Sequence, residues 1–186
     1  YEVAWQRYLA TLLGSHSDAT AAILAIFLGG LSLGYWLFGR VTQRYGGSEE
    51  GSRPNHRLFL VYGLVEGALG LYAIVFPWLF GGIQVLSYAV PAGSLLFNFS
   101  VDVLLSTLLI GPASVLLGGT IPILTQAMAR SLADATRIHA FIYAFNTAGA
   151  FVGALAAGFY LIPALGLVSV MFAMGSINLV AAAVYV

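Results

Sequence analysis

The chain has 186 residues, of which 60% are hydrophobic and only 8% are charged, and its mean hydropathy is +0.94. Soluble domains carry roughly 25% charged residues, so this composition excludes an ordinary soluble protein and predicts a membrane protein whose main partner is the lipid bilayer. The net charge is zero and all seven basic residues are Arg, which argues against a nucleic acid partner, and the absence of Cys excludes disulfides and thiolate metal sites.

Five apolar runs are long enough to cross a bilayer as helices, since about 20 residues rising about 1.5 Å each span a ~30 Å core. They lie at about 19–39, 58–80, 101–128, 138–161 and 166–186. Residues 1–13 would reach only ~20 Å, so they form either an interfacial helix or part of a first span that continues upstream. The runs predict an all-α fold, a polytopic transmembrane helical bundle of about six spans, in a single domain over 1–186 that we expect to be cut from a longer chain.

The Arg residues lie in alternate connections between the runs. Four lie in the connection 40–57 and two in 130–137, whereas 14–18, 81–100 and 162–165 contain none. Short connections rich in Arg stay on the cytoplasmic side of a membrane. The pattern therefore predicts that the 40–57 loop is cytoplasmic and that 14–18 faces the outside.

Two features interrupt the apolar pattern on the outer side. Gly81, Gly82 and Pro91 fall in the stretch 81–100, which we expect to lie along the interface or dip back rather than to continue a span. Asp102 follows, and its acidic side chain suits the first turn of the next helix, because a helix N-terminus carries partial positive charge.

Proline and glycine predict how the spans bend and meet. Pro112 and Pro122 lie within the run 101–128 and should kink or break it, because proline removes an intrahelical hydrogen bond. Small residues four positions apart let two membrane helices approach closely. We expect internal packing, rather than dimerisation, through the pairs Gly30 and Gly34, Gly63 and Gly67, and Gly149 and Gly153, with Ala157 extending the last.

A search for catalytic motifs finds none. The absence of Lys excludes a phosphate-binding loop, and no two Gly residues have the i, i+2 spacing of a dinucleotide fingerprint. The three His residues stand outside metal-ligand motifs, and no Gly-x-Ser-x-Gly sequence occurs. We therefore expect no cofactor, no metal and no catalysis of the soluble type from this segment.

Five polar residues fall inside the predicted spans: Glu2, Arg7, Glu66, Asn146 and Asn178. An ionisable residue at such depth is a candidate functional residue, although a cost of only ~3 kcal/mol also permits a structural pair. For Glu66 both interpretations stay open, whereas the two Asn residues favour interhelical hydrogen bonds that fix packing. Because Glu2 and Arg7 are five positions apart, they point to different sides and should pair with other helices.

Depth places most of these residues in one layer. Glu66 and Asn146 lie about eight residues, or roughly 12 Å, above the predicted inner ends of their helices, and Glu2 and Asn178 reach nearly the same level from the other side. Burial without a hydrogen bond is costly. We predict that Glu66 contacts another polar side chain of this set or a water-filled cavity, and that Glu2, Arg7, Glu66 and Asn146 form a binding site for a cationic small molecule.

Several segments resemble the membrane part of the spermidine synthase-like fusion proteins of bacteria. They are YEVAWQR at 1–7, FLGGLSLG at 27–34, YGLVEGALGLY at 62–72, GGTIP at 118–122, YAFNT at 143–147, GF at 158–159 and PALG at 163–166. The resemblance covers nearly the whole chain.

The resemblance implies a membrane domain similar to half of a major facilitator fold, located in the bacterial inner membrane. In that family a cytoplasmic Rossmann-type domain resembling aminopropyltransferases often follows, and no such domain lies within these residues. No catalytic residue is therefore carried over, and we expect the segment alone to lack aminopropyltransferase activity. The sequence GRVTQRYGG at 39–47 also resembles a cytoplasmic loop motif of major facilitator transporters, with Gln43 where an acidic residue is usual.

Three functions follow from these observations. In the first, the domain anchors and supplies a cytoplasmic aminopropyltransferase-like domain in polyamine metabolism, handling a cationic polyamine through Glu2 and Glu66. The second is half of a major facilitator-type transporter, which would need a homodimer or a second half. The third is a structural subunit of a larger membrane complex.

Overall fold

The computed structural model describes residues 1–14, 17–45, 55–91, 93–129 and 131–186, without the side chains of 43–45 and 132–133. All regular structure in these ranges is helical. The helices are α1 (Glu2–Leu13), α2 (Ser17–Tyr45), α3 (His56–Ala89), α4 (Leu95–Met128), α5 (Leu132–Ala156) and α6 (Ile162–Tyr185), with a π-helical turn at Ala157–Leu161. The all-α prediction is confirmed, whereas most of the predicted 40–57 loop, including its Gly- and Ser-rich part, lies outside the described residues.

Four helical stretches within these ranges are long and apolar enough to cross a membrane. They are Ser17–Thr42, His56–Ala89, Leu95–Met128 and Asp134–Tyr185, of 26, 34, 34 and 52 residues. The chain is therefore a membrane protein by the length and composition of its helices. The helix α1, with 12 residues, is shorter than a span.

The fourth stretch folds back on itself. Phe141 lines a cavity together with Tyr62, and the Tyr185 ring lies 4.9 Å from the Tyr62 ring between centroids. A straight helix between Phe141 and Tyr185 would separate them by about 66 Å. The reversal coincides with Gly166, whose φ of 79° and ψ of 163° are non-helical and suit glycine. The separate runs expected at 138–161 and 166–186 match the two arms.

Glycine brings the backbones of α2 and α4 into contact. A Cβ atom added at Gly34 would overlap the carbonyl oxygen of Val115, and one added at Gly118 would overlap that of Leu31. The internal packing predicted for Gly30 and Gly34 is confirmed, because a Cβ at Gly30 would likewise overlap Ser114 in α4.

The helices α3 and α6 make a similar contact. A Cβ at Gly70 would lie 2.8 Å from the carbonyl oxygen of Gly175, and a Cβ at Gly175 would lie 2.7 Å from that of Gly70. The predicted packing of Gly63 and Gly67 is also confirmed, since Ala182 of α6 lies against both positions.

The third glycine pair does not pack as expected. No described residue lies within 4 Å of a Cβ added at Gly149 or Gly153, although Ala157 is buried. Small residues permit another helix to approach closely, but they do not ensure that a helix is present at that face. This face of α5 is open in the described structure, so the expectation of internal packing was wrong here.

The helices are more continuous than expected at two places, although the kink expected at Pro112 and Pro122 as the alternative to a break stays a prediction. The stretch 81–100 is mostly helical, since α3 continues to Ala89 and α4 begins at Leu95. Pro112 and Pro122 do not break α4, which runs to Met128. Glycine and proline are tolerated in membrane helices because neighbouring groups satisfy the freed backbone. At 34 residues each, α3 and α4 extend to about 51 Å and exceed a ~30 Å hydrocarbon core.

Aromatic rings attach α1 to α3. Trp5 and Phe76 are 1% and 0% exposed, and their rings stack at 5.9 Å. The Tyr8 ring meets Phe76 edge-on at 5.2 Å and Phe80 at 5.0 Å. These contacts bury large apolar areas and hold α1 against the second half of α3.

Candidate functional site

Glu66 lies on the face of α3 that packs against α6. Gly63, Gly67 and Gly70 share this side of α3, because residues three and four apart are neighbours on a helix. The close approach of the helices brings Asn178, three positions after Gly175, next to the carboxylate. Asn178 Nδ2 donates a hydrogen bond of 2.8 Å to Glu66 Oε2.

Two tyrosines complete the surroundings of Glu66. Tyr62 precedes Glu66 by one helical turn on α3, so the two side chains lie on the same side of that helix. The Tyr62 ring is held edge-on by Tyr185 of α6. The Tyr1 hydroxyl is close enough to Glu66 to interact electrostatically with its carboxylate. It is buried and has no hydrogen-bond partner among the described residues. Helices α1, α3 and α6 therefore all contribute polar groups to this layer.

The Glu66 carboxylate accepts a hydrogen bond from Asn178 but has no counter-ion in the described part of the chain. Glu66 is half-buried, and no described Arg side chain forms an ion pair with it. Arg7 is exposed, and Arg40 instead stacks over the Trp36 ring at 4.1 Å. Neutral donors orient a carboxylate and offset part of its desolvation cost, but they do not neutralise its charge.

A cavity of about 410 Å³ opens beside Tyr62. Its wall is mostly apolar, from α4 and α5, with polar groups contributed by Tyr62, Thr120 and Asn146. Concave apolar sites with a few polar groups are typical of small-molecule binding. Glu66 is not among the described residues that line this cavity, but Tyr62, one helical turn before it on α3, is.

The structure brings together only some of the predicted site residues. The predicted contact of Glu66 with another polar residue of the layer is confirmed, and the partner is Asn178, which also confirms the interhelical hydrogen bond expected of that residue. Asn146 is exposed on the cavity wall, and its expected interhelical hydrogen bond is not found among the described residues. Glu2 and Arg7 form no side-chain hydrogen bond or ion pair with described residues, so the expected pairing with other helices is also not found. The substrate-binding role of all four residues stays a prediction.

Tyr62 and Tyr1 were not among the predicted site residues. Tyr62 was detectable, because it precedes Glu66 by four positions and must share its helix face. Tyr1 was not detectable, because its proximity to Glu66 depends on how α1 packs across the bundle.

A second polar contact attaches the beginning of α5 to the bundle. His139 Nε2 lies 3.5 Å from the Tyr35 hydroxyl of α2, and His139 Nδ1 lies 3.3 Å from Thr125 Oγ1 of α4. The His139 ring also meets the Tyr35 ring edge-on at 6.0 Å. These contacts join three helices at the end of the bundle that carries Arg40 and Arg137.

The described residues hold no group of three or more His, Asp or Glu side chains that could bind a metal ion. Comparison with known proteins finds no matching family model, no matching curated protein and no matching solved structure.

Proposed function

We propose that this chain is the membrane domain of a spermidine synthase-like fusion protein and that it binds a small organic cation, of the polyamine class, at Glu66. The observation that carries the proposal is the Glu66 carboxylate, which Asn178 orients one helical turn from the cavity residue Tyr62 and which has no counter-ion among the described residues.

The energetics of the membrane favour a cation at this point. An ionised group within a bilayer costs ~3 kcal/mol or more, and proteins offset that cost by pairing the group or placing it beside a water-filled cavity. The hydrogen bond from Asn178 leaves the charge itself uncompensated. A bound cation would supply the missing charge, and the apolar wall formed by α4 and α5 would accept its hydrocarbon part.

The family assignment rests on the resemblance of the segments from 1–7 to 163–166, which follow one another along nearly the whole chain. Under it we propose six spans, with the fold-back at Gly166 separating the last two, in a bacterial inner membrane. The four Arg of the 40–57 loop support a cytoplasmic location for that loop, where a following catalytic domain would lie.

Binding of spermidine to the purified chain in phosphatidylcholine nanodiscs tests the proposal. Glu66→Gln should weaken binding at least about tenfold, because it removes the charge and keeps an oxygen that accepts from Asn178. The matched control is Asp18→Asn, which makes the same change in the first turn of α2 and should leave the affinity unchanged. Equal affinity of wild type and Glu66→Gln would assign Glu66 to packing alone.

A transporter half is the second candidate. The cavity between α3, α4 and α5 favours it, together with the sequence at 39–47. Uptake of radiolabelled spermidine into proteoliposomes, abolished by Glu66→Gln, would support transport, whereas binding without uptake would support the first candidate.

A further inference from the structure

A second cavity, of about 300 Å³, lies at the opposite end of the bundle from Arg40, Arg57 and Arg137. The ends of α1 and α3 and the beginning of α4 form this cavity. Five of the lining residues are polar: Thr11, Ser87, Tyr88, Asn98 and Asp102.

Asp102 is the charged group of this cavity. It lies two turns into α4, which begins at Leu95, so the expectation that it occupies the first turn of its helix was wrong. Ser87 Oγ of α3 donates a hydrogen bond of 2.6 Å to Asp102 Oδ1. No other hydrogen bond and no ion pair of Asp102 occurs among the described residues, so Oδ2 is available to a ligand.

The two aliphatic hydroxyl groups of the cavity, those of Ser87 and Thr11, have already used their hydrogens. Ser87 donates to Asp102, and Thr11 Oγ1 donates to the carbonyl oxygen of Tyr8 at 2.7 Å. A hydroxyl has one hydrogen to donate and two lone pairs that accept. Ser87 and Thr11 therefore offer acceptors to the cavity, as Asp102 does.

The charge around the cavity is negative. The sequence contains no Lys or Arg from 58 to 129 or from 8 to 39, and these ranges include all residues that line the cavity. Asp18 lies at this same end, in the first turn of α2. The nearest basic residue along α1 is Arg7, one turn before Thr11, and it makes no ion pair with Asp102. A cation is the ligand that this potential attracts.

We propose that this cavity binds a primary organic ammonium ion, with Asp102 as its counter-ion and with Ser87 and Thr11 as further acceptors. An ammonium group of this kind has three N–H donors and no acceptor, which suits three acceptor side chains. A quaternary ammonium, which has no N–H donor, is instead recognised by several aromatic rings, and Tyr88 is the one aromatic residue among the described residues of this lining. Leu12 and Val101 provide an apolar wall for a short alkyl chain.

The test uses ligand-detected NMR with n-butylammonium and the full chain in phosphatidylcholine nanodiscs. Saturable binding is expected, with tetramethylammonium and n-butanol at least about tenfold weaker, since each lacks either the donors or the charge. Asp102→Asn should weaken n-butylammonium at least about tenfold while still accepting from Ser87, and Ser87→Ala, which keeps the charge, should weaken it less. Glu66→Gln should leave this binding unchanged, so the outcome is separate from that at Glu66.

A covalent probe gives an independent readout at the same place. Tyr88→Cys introduces the only thiol in a chain without Cys. A cationic methanethiosulfonate should label it faster than an anionic one, n-butylammonium should slow the labelling, and Asp102→Asn should remove both effects. Circular dichroism and the melting temperature establish that each variant is folded. Absence of saturable n-butylammonium binding, or equal affinity of wild type and folded Asp102→Asn, would overturn the proposal.

Discussion

Asn178 and Glu66 are joined by a hydrogen bond of 2.8 Å, although 112 positions separate them in the chain. The bond lies where the glycines of α3 and α6 bring the two backbones together. The bond therefore lies at a packing contact between the two helices. Glu66 is the only ionisable residue of α3 between the glycine contacts at Gly63 and Gly70.

Loss of the Asn178 amide should destabilise the protein more than loss of the Glu66 charge. Asn178→Leu should lower the free energy of unfolding by about 1–2 kcal/mol, because it leaves the carboxylate with fewer donors. Glu66→Gln should change it by less than about 1 kcal/mol, because the amide oxygen still accepts. Denaturant unfolding in detergent measures both, with the exposed Val180→Leu as control. A neutral Asn178→Leu would contradict this account.

Substitution of Gly34 tests the contact between α2 and α4. Gly34→Ala should cost about 2–3 kcal/mol, because the added methyl group overlaps the backbone of Val115 and the helices must separate. Gly39→Ala, on the same helix but with nothing within 4 Å, should be neutral or stabilising by up to about 1 kcal/mol. Thermal unfolding of the two variants side by side gives the comparison, and equal melting temperatures would show that the helices do not touch at Gly34.

Gly166 should tolerate alanine poorly for a different reason. Its surroundings are open, but its φ of 79° and ψ of 163° lie in a region used almost only by glycine. Gly166→Ala should therefore cost about 1–3 kcal/mol through backbone strain. Gly149→Ala is the control, since that glycine is helical and equally open. If the two variants unfold alike, the reversal does not depend on this residue.

His139 should control the attachment of α5. His139→Leu removes the contacts with Tyr35 and Thr125, and a loss of about 1 kcal/mol corresponds to roughly fivefold faster local opening. Hydrogen–deuterium exchange of the beginning of α5 measures that opening. Phe151→Leu, at an exposed position further along α5, should leave the exchange of this part unchanged. Unchanged exchange in His139→Leu would mean that other contacts hold α5.

Labelling from either side of the membrane tests the orientation. A thiol at Ser48→Cys, in the 40–57 loop, should react with an impermeant reagent only from the cytoplasmic side, because four Arg lie in that loop. Tyr88→Cys, at the far end of α3, should react only from the opposite side. Reaction of Ser48→Cys from the periplasm alone would invert the whole topology.

Glycine spacing predicted two helix contacts and failed for the third. Gly30 with Gly34 and Gly63 with Gly67 pack as expected, whereas the face with Gly149 has no described neighbour. A helix face of small residues allows another helix to approach closely, but it does not identify which helix approaches. Gly81 and Gly82 do not interrupt α3, which continues to Ala89, because a membrane helix tolerates glycine where neighbouring groups satisfy its backbone.

The candidate site was predictable in depth but not in direction. Counting residues along each span placed Glu66, Asn146 and Asn178 near one level. Whether two side chains at that level meet depends on how each helix is rotated about its axis, and α5 directs Asn146 to the cavity wall instead. The rotation is set by packing contacts that a single sequence does not display.

The close backbone contacts define two units, α2 with α4 and α3 with α6, within which interlocked backbones oppose sliding. The cavity beside Tyr62 lies at the seam between these units, and the Tyr72 hydroxyl donates across the same seam to the carbonyl oxygen of Leu109. A small rotation of one unit about that point would change the volume of the cavity. The bond from Asn178 to Glu66 lies within one unit, so the carboxylate would keep its orientation while the space beside it opens or closes.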